Sequence, residues 1–205
     1  YSKKKQSRQP SNFAKFIYKK FLRKKRKKKL IDIGCGNARD TFFFYKKKIE
    51  VTAIDRSNKA IKSNIRYANK FNFKNINFKR LDINRKTILK NNQYDYIYLR
   101  FFVHTIPQSS QKRLFELIKR ISKKNKSLVL IEFRTDKDPL KEKGKVLSNN
   151  ETINTHYRRF IESEKFINLF QNCVKCQLVY KREGRGLSIV GKDNPHLCRL
   201  VFKIK

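Results

Sequence analysis

Tryptophan and methionine are missing from all 205 residues, and glycine (6), proline (4) and cysteine (4) are scarce. Acid is scarce as well: 16 Asp and Glu stand against 53 Lys and Arg, a formal charge of +37. Of Cys35, Cys173, Cys176 and Cys198, only Cys173 and Cys176 form a CxxC, and no second pair or histidine cluster stands at finger spacing. A zinc site therefore has little support, no metal is expected, and reduced thiols fit a cytoplasmic protein. No apolar run is long enough to span a bilayer, and no signal peptide is legible. The chain starts at Tyr1 without an initiator, which leads us to expect a trimmed protein or a piece of a longer polypeptide. The shortage of acid points to a polyanion: RNA, DNA or an anionic membrane face. Composition offers a plainer account. Lys, Asn, Ile and Phe are all over-used, A/T-rich codons encode all four, and Arg is much rarer than Lys. We take the charge as mainly compositional, with a nucleic-acid partner as the less favoured alternative.

What is present suffices for the core of one domain: 39% of residues are apolar, and aromatic and β-branched types are plentiful. Residues 1–12 are polar and basic and are expected to fray. Residues 13–29 bring Phe13, Phe16, Ile17 and Phe21 near helical spacing and end in a basic run. We take 1–29 as an N-terminal segment with a short helix and 30–205 as the domain. Strands are then expected at 29–34, 51–55, 76–83, 94–106 and 127–135. Helices are expected at 38–47, 57–71 with Ser57 as N-cap, and 109–124. A polar loop at 137–150, a helix starting near Ser163 and two closing strands without a helix between them follow. This alternation predicts an α/β fold: a doubly wound, mostly parallel seven-stranded sheet with helices on both faces and an antiparallel C-terminal hairpin strand.

In such a sheet ligands bind where the carboxyl ends of the strands meet the switch point. "LIDIGCGNARD" (30–40) ends the first strand and opens a helix. Gly34 permits a tight turn and Gly36 a close approach of ligand to backbone. Asp55 closes the second strand, where an acid can accept hydrogen bonds from both hydroxyls of a ribose; Asp82 and Ile83 close the third. Any one of these acids can be an ordinary turn cap. In register, the three strand ends outline one nucleoside-shaped cleft.

This ensemble resembles the class I S-adenosylmethionine-dependent methyltransferases, from Leu30 to Lys205. The resemblance implies S-adenosyl-L-methionine as cofactor. Asp32, Gly34, Cys35 and Gly36 would surround its methionine part, Asp55 would hold the ribose, and Arg56 would flank the adenine. Asp82 would meet the adenine amino group, with a backbone contact from Ile83. "GCGNARD" is similar to a small-molecule branch whose usual form is GCGNGRD, with Ala38 in place of Gly; there Arg39 would lie near the cofactor's carboxylate. A nicotinamide dehydrogenase is disfavoured, because Arg39 occupies the sixth position of the turn, where GxGxxG needs glycine.

The fourth strand should end at the reacting centre, and "LRFFVHTI" (99–106) carries Arg100 and His104 there as catalytic candidates. His suits proton removal from a hydroxyl near neutral pH; the alternative is a histidine that orients a loop. An (N/D/S)PP(Y/F) motif, usual for base-amine methylation, is absent. Later, "HYRRFIE" and "KREGRGL" supply Tyr157, Arg158, Arg159, Arg182 and Arg185. Arginine forks suit carboxylate or phosphate, so Tyr157, Arg158, Arg159 and Arg185 are the candidate lid over an anionic small-molecule acceptor. Salt bridges to nearby glutamates, or a β-bulge, are the alternatives. The expected activity is methyl transfer to O or N of a metabolite or glycan-related group. An RNA-modifying enzyme or a non-catalytic docking domain are the other readings.

Overall fold

The computed structural model describes residues 8–23, 28–85, 89–153, 155–189 and 193–205. Its main sheet has seven strands: β1 (Lys29–Ile33), β2 (Glu50–Asp55), β3 (Asn77–Arg80), β4 (Tyr96–Arg100), β5 (Leu128–Arg134), β9 (Cys176–Gly184) and β10 (Leu197–Ile204). The order is β3-β2-β1-β4-β5-β10-β9. The first five strands are parallel, and β10 lies antiparallel to both β5 and β9. The order reverses at β1, between β2 and β4, which opens a crevice at the carboxyl ends of the strands.

Alternation along the central strands divides the core. Ile31, Ile33, Ile97, Leu99, Val129 and Ile131 face α4 (Gln108–Ile121) and α5 (Ser163–Cys173), meeting Leu114, Ile118, Phe166 and Phe170. Leu30, Tyr96, Tyr98, Leu128 and Leu130 face the other way, onto Phe13 and Ile17 of α1 (Asn12–Ile17) and Phe44 of α2 (Arg39–Lys46). Helices thus cover both faces, as the period-two strands and 3.6-period helices require. α3 (Asn58–Lys70), capped by Ser57, seats Ile61 on Ala53.

The chain departs from expectation in four places. α1 continues through a wider π-type turn at Tyr18–Leu22, and Phe13, Ala14, Ile17 and Leu22 are buried in the domain's own core. The segment expected to fray is anchored from Arg8 onward: Arg8 stacks on Tyr67 with 3.9 Å to the ring centroid and donates to the Asn37 carbonyl at 2.7 Å. Residues 1–7 and most of the basic tract, 24–27, lie outside the described residues. β3 and β4 are shorter than the apolar runs suggest, so Asp82 and Ile83 follow β3 in a turn, and 101–107 form a loop with a short 3-10 turn. The stretch expected as a polar loop contains β6 (Lys145–Ser148), which joins β7 (Glu151–Ile153) and β8 (Tyr157–Arg159) in a small antiparallel sheet.

Candidate active site

The turn after β1 is built on two left-handed glycines, Gly34 (φ +75°) and Gly36 (φ +52°). They differ in what surrounds them. A β-carbon on Gly34 would stand 2.3 Å from Cδ2 of Phe102, whereas one on Gly36 would meet nothing within 4 Å. The amides of Gly34 and Cys35 donate to the Ile54 carbonyl at 2.9 and 3.0 Å, fastening the turn to β2. Asp55 Oδ2 accepts from the Gly36 amide at 2.9 Å and Oδ1 from the Ser57 amide at 2.8 Å. A carboxylate has about four acceptor sites, so Asp55 keeps capacity for further donors. Ala38 adopts φ 57°, a conformation that glycine takes without strain.

These groups open on a cavity of about 460 Å³, within the range of small-molecule sites. Its lining includes Ile33, Gly34, Gly36, Ile54, Asp55, Arg56, Asp82 and Ile83 from the ends of β1 to β3, and Phe101, Phe102, Thr105, Ile106, Pro107 and His156 from the segments after β4 and before β8. Asp82 uses Oδ1 to accept from the Asn84 amide at 2.9 Å. The donor set fits an adenosyl group: a bare backbone at Gly36, a carboxylate for vicinal hydroxyls at Asp55, a second acid at Asp82, and apolar walls. Of the cofactor residues expected from sequence, Gly34, Gly36, Asp55, Arg56, Asp82 and Ile83 come together here.

Asp32, Cys35 and Arg39 do not line this cavity. Cys35 turns its thiol away, into Ala53, Ile61 and Phe78, and burial pushes its pKa far up. Asp32 is buried and accepts from Thr41 Oγ1 at 2.6 Å; desolvation pushes its carboxyl up to about 7, against that hydrogen bond. Arg39 is half-buried, its pKa lowered by desolvation and by Arg100, with Asp40 opposing. Asp40 is itself buried, accepting from the Ser11 amide at 2.7 Å, Ser11 Oγ at 2.8 Å and Tyr98 Oη at 2.8 Å. The start of α2 is therefore tied to the segment before α1.

The expected catalytic pair does not line the cavity, though both residues touch Phe101, which does. Arg100 Nε pairs with Glu132 at 3.0 Å, its neighbour across β4–β5, and Arg199 Nε takes the other carboxylate oxygen at 2.7 Å. The Arg100 guanidinium also lies 4.0 Å from the Phe101 ring centroid. His104 is buried, and its Nδ1 accepts from the Arg134 amide at 3.3 Å. Desolvation, with the charges of Arg134, Arg158, Arg100 and Arg159, lowers its pKa to about 3. The imidazole expected as a general base is thus buried with its basicity lowered, and Arg100 is paired with Glu132.

The lid candidates separate as well. His156, just before β8, reaches the cavity. Tyr157 Oη donates to Glu151 at 2.6 Å. Arg158 is half-buried and donates to the His156 carbonyl at 3.4 Å. Arg159 is buried behind the cleft against Gln111 and the Val103 carbonyl. Arg185 is exposed on the turn after β9, at the carboxyl end of β5, because Gly184 and Arg134 both pair with Leu197. Sequence reasoning missed Phe101, Phe102, Thr105 and His156. Phe101 has φ 53°, rare for a bulky residue and typical of strained functional sites, but nothing in its residue type announces this.

Sheet order, glycine turn and acid-flanked cleft together define the class I, S-adenosylmethionine-dependent methyltransferases. A family model described as a methyltransferase domain matches residues 24–183, and the chain belongs to that family. No curated protein matches the sequence. Solved structures share the fold at low identity. A protein of Pyrococcus horikoshii (PH0226) is 18% identical, with TM-score 0.73 over 95% of this chain and 88% of that one. An Aquifex aeolicus S-adenosylmethionine-dependent methyltransferase is 19% identical, with TM-score 0.67 over 94% and 89%. The 1,6-didemethyltoxoflavin-N1-methyltransferase of Burkholderia thailandensis, solved with its substrate and S-adenosylhomocysteine, is 12% identical, with TM-score 0.71 over 94% and 76%. Among the described residues no helix is long and apolar enough to cross a membrane.

Proposed function

We propose that the enzyme transfers the methyl group of S-adenosylmethionine to O or N of a small anionic acceptor that enters beside Phe101, Phe102 and His156. The observation that carries the cofactor reading is Gly36, left-handed and open on its Cβ side, next to Asp55. In this reading Asp55 takes the ribose hydroxyls on its spare lone pairs, and Asp82 and Ile83 hold the adenine. Gly36 leaves backbone bare where the methionine part passes, in a turn that Gly34 lets close against Phe102. When bound, the cofactor supplies a methyl on a sulfonium, already strongly electrophilic, so positioning accounts for most of the acceleration.

The acceptor end is electropositive. Four guanidinium groups, Arg134, Arg158, Arg100 and Arg159, act on His104 there. Arg100 and Arg134 are paired with Glu132 and Asp138, so the charge left to draw in an anion is chiefly that of Arg158 and Arg159. Arg158 and Arg185 are the forks assigned to the acceptor's negative group, with Tyr157 orienting the lid through Glu151. A screen of acidic metabolites and sugar phosphates with methyl-labelled cofactor tests this. Arg158→Lys keeps the charge but loses the fork, and should weaken acceptor use roughly tenfold, about 1.4 kcal/mol, with S-adenosylhomocysteine affinity unchanged. Transfer only to neutral acceptors contradicts the reading.

A second reading rests on a basic furrow that shares Ile83 and Asn84 with the cleft and is lined by Arg85, Lys112, Arg113 and Arg120. In that reading the acceptor is RNA, its backbone lying along α4.

A further inference from the structure

Arg159 is an anomaly among the arginines of this fold. It is only 8% exposed, yet among the described residues no carboxylate pairs with it. Its Nη2 donates to Gln111 Oε1 and the Val103 carbonyl, and its Nε is buried without an acceptor. Arg100, Arg134 and Arg199 each have an acid in contact: Glu132, Asp138 and Glu132 again. Glu151 is close enough to act on Arg159 electrostatically, but its Oε1 is taken by Tyr157 at 2.6 Å. A buried cation without a counterion is costly, and proteins meet that cost by pairing it.

The residue lines a pocket of about 140 Å³ between β8, α4 and α5, together with Gln108, Gln111, Asn150, Glu162 and Lys165. Two more features bear on that space. α4, 14 residues long, begins at Gln108 and has no side-chain cap; the Ser110 amide turns back to the Pro107 carbonyl at 3.0 Å, and the positive end of the dipole faces this end of the helix. Lys165 stands at the mouth, 79% exposed and bonded to Glu162 at 2.9 Å. The single acid of the lining is thereby already paired.

We propose that this pocket is a binding site for one small oxyanion, a phosphate or carboxylate group, held by Arg159, Lys165 and the amino end of α4. It is separate from the cofactor cleft but shares a wall with it. Thr105, Ile106 and Pro107 line the cleft, Gln108 and Gln111 line the pocket, and Val103 is gripped by Arg159 itself. An anion seated there fixes the loop that shapes the acceptor side. It is either a free ion or the charged arm of the acceptor reaching round that loop.

The test uses the whole chain, with thermal unfolding followed in phosphate and in chloride at equal ionic strength. Phosphate should raise Tm along a saturating curve, as a ligand specific for the folded state does. Arg159→Gln should abolish the saturable shift. Should that variant not fold, Lys165→Gln, at an exposed position, should weaken phosphate at least fivefold. Binding of S-adenosylhomocysteine, measured in the same samples, reports on the cleft separately, so failure of the anion site is distinguished from failure of the methyl-transfer reading. A sugar phosphomonoester binding more tightly than inorganic phosphate identifies the acceptor's arm; equal affinities identify a free ion, and both support the site. No saturation in the wild type, or equal saturation in wild type and both variants, overturns it.

Discussion

Phe102 lies against Gly34 so closely that a β-carbon on the glycine would come within 2.3 Å of its ring, while the neighbouring Gly36 faces open space. Two glycines of one turn therefore serve different ends: the first lets the protein close on itself, the second leaves room for a ligand. Gly34→Ala should cost about 2–4 kcal/mol of stability, from overpacking added to left-handed strain. Gly36→Ala carries the strain alone, about 1–2 kcal/mol, but should lose most of its affinity for S-adenosylhomocysteine. Urea unfolding combined with calorimetry separates the two; equal stability losses with intact binding in both would refute the distinction.

Two buried titrating groups give opposite pH signatures. Asp32 keeps its proton to about pH 7 when folded, against an ordinary value of 3.8. The folded chain binds more protons in that window, so this contribution is complete below the ordinary value and is lost as pH rises towards 7. His104, lowered from 6.5 to about 3, does the reverse: its contribution is present above 6.5 and is lost as pH falls. The stability of wild type relative to Asp32→Asn should fall from pH 4 to 7, and that relative to His104→Gln should rise from pH 4 to 6.5. Denaturant midpoints across this range decide it; parallel curves contradict the burial of these charges. The pH profile of turnover should also show no inflection that His104→Gln removes.

Glu132, fully buried, is the shared counterion of Arg100 and Arg199. Glu132→Gln leaves two guanidinium groups unpaired in the core and should cost about 3–5 kcal/mol. An equilibrium unfolding curve within 1 kcal/mol of wild type would place these arginines in solvent instead.

If the charge of +37 is mainly compositional, RNA and duplex DNA should bind without sequence preference, with Kd near 10⁻⁴–10⁻⁶ M at physiological salt. A structured RNA held far more tightly than its scrambled control, with affinity reduced by Arg113→Ala in the basic furrow, would shift the acceptor from metabolite to RNA.

The scaffold, and the gathering of six expected cofactor residues around one cleft, were legible because they depend on chain-local signals. Strand ends carry Gly34, Gly36, Asp55 and Asp82 in sequence order, and the parallel sheet brings them together. The acceptor end was not, because its properties are set by tertiary surroundings. Nothing local says that His104 is roofed by Arg134 or that Arg100 is spent on Glu132 across a strand pair. Neither the burial of Arg159 nor its missing counterion can be read from "HYRRF". β6 escaped because Lys145–Ser148 is exposed throughout and has no apolar face to mark it. Ser11 and Arg8 looked like a solvated tail, since their partners Asp40 and Asn37 lie almost thirty residues on, |i−j| = 29 in both cases.

The central claim is that this cleft holds S-adenosylmethionine through Asp55. Isothermal titration of the wild type and of Asp55→Asn with the cofactor tests it most directly. One site per chain is expected in the wild type, with affinity lower by roughly tenfold to a hundredfold in the variant, the 1.5–3 kcal/mol of hydrogen bonds to a charged acceptor. No binding by the wild type, equal binding by both proteins, or tighter binding of a nicotinamide dinucleotide would contradict it.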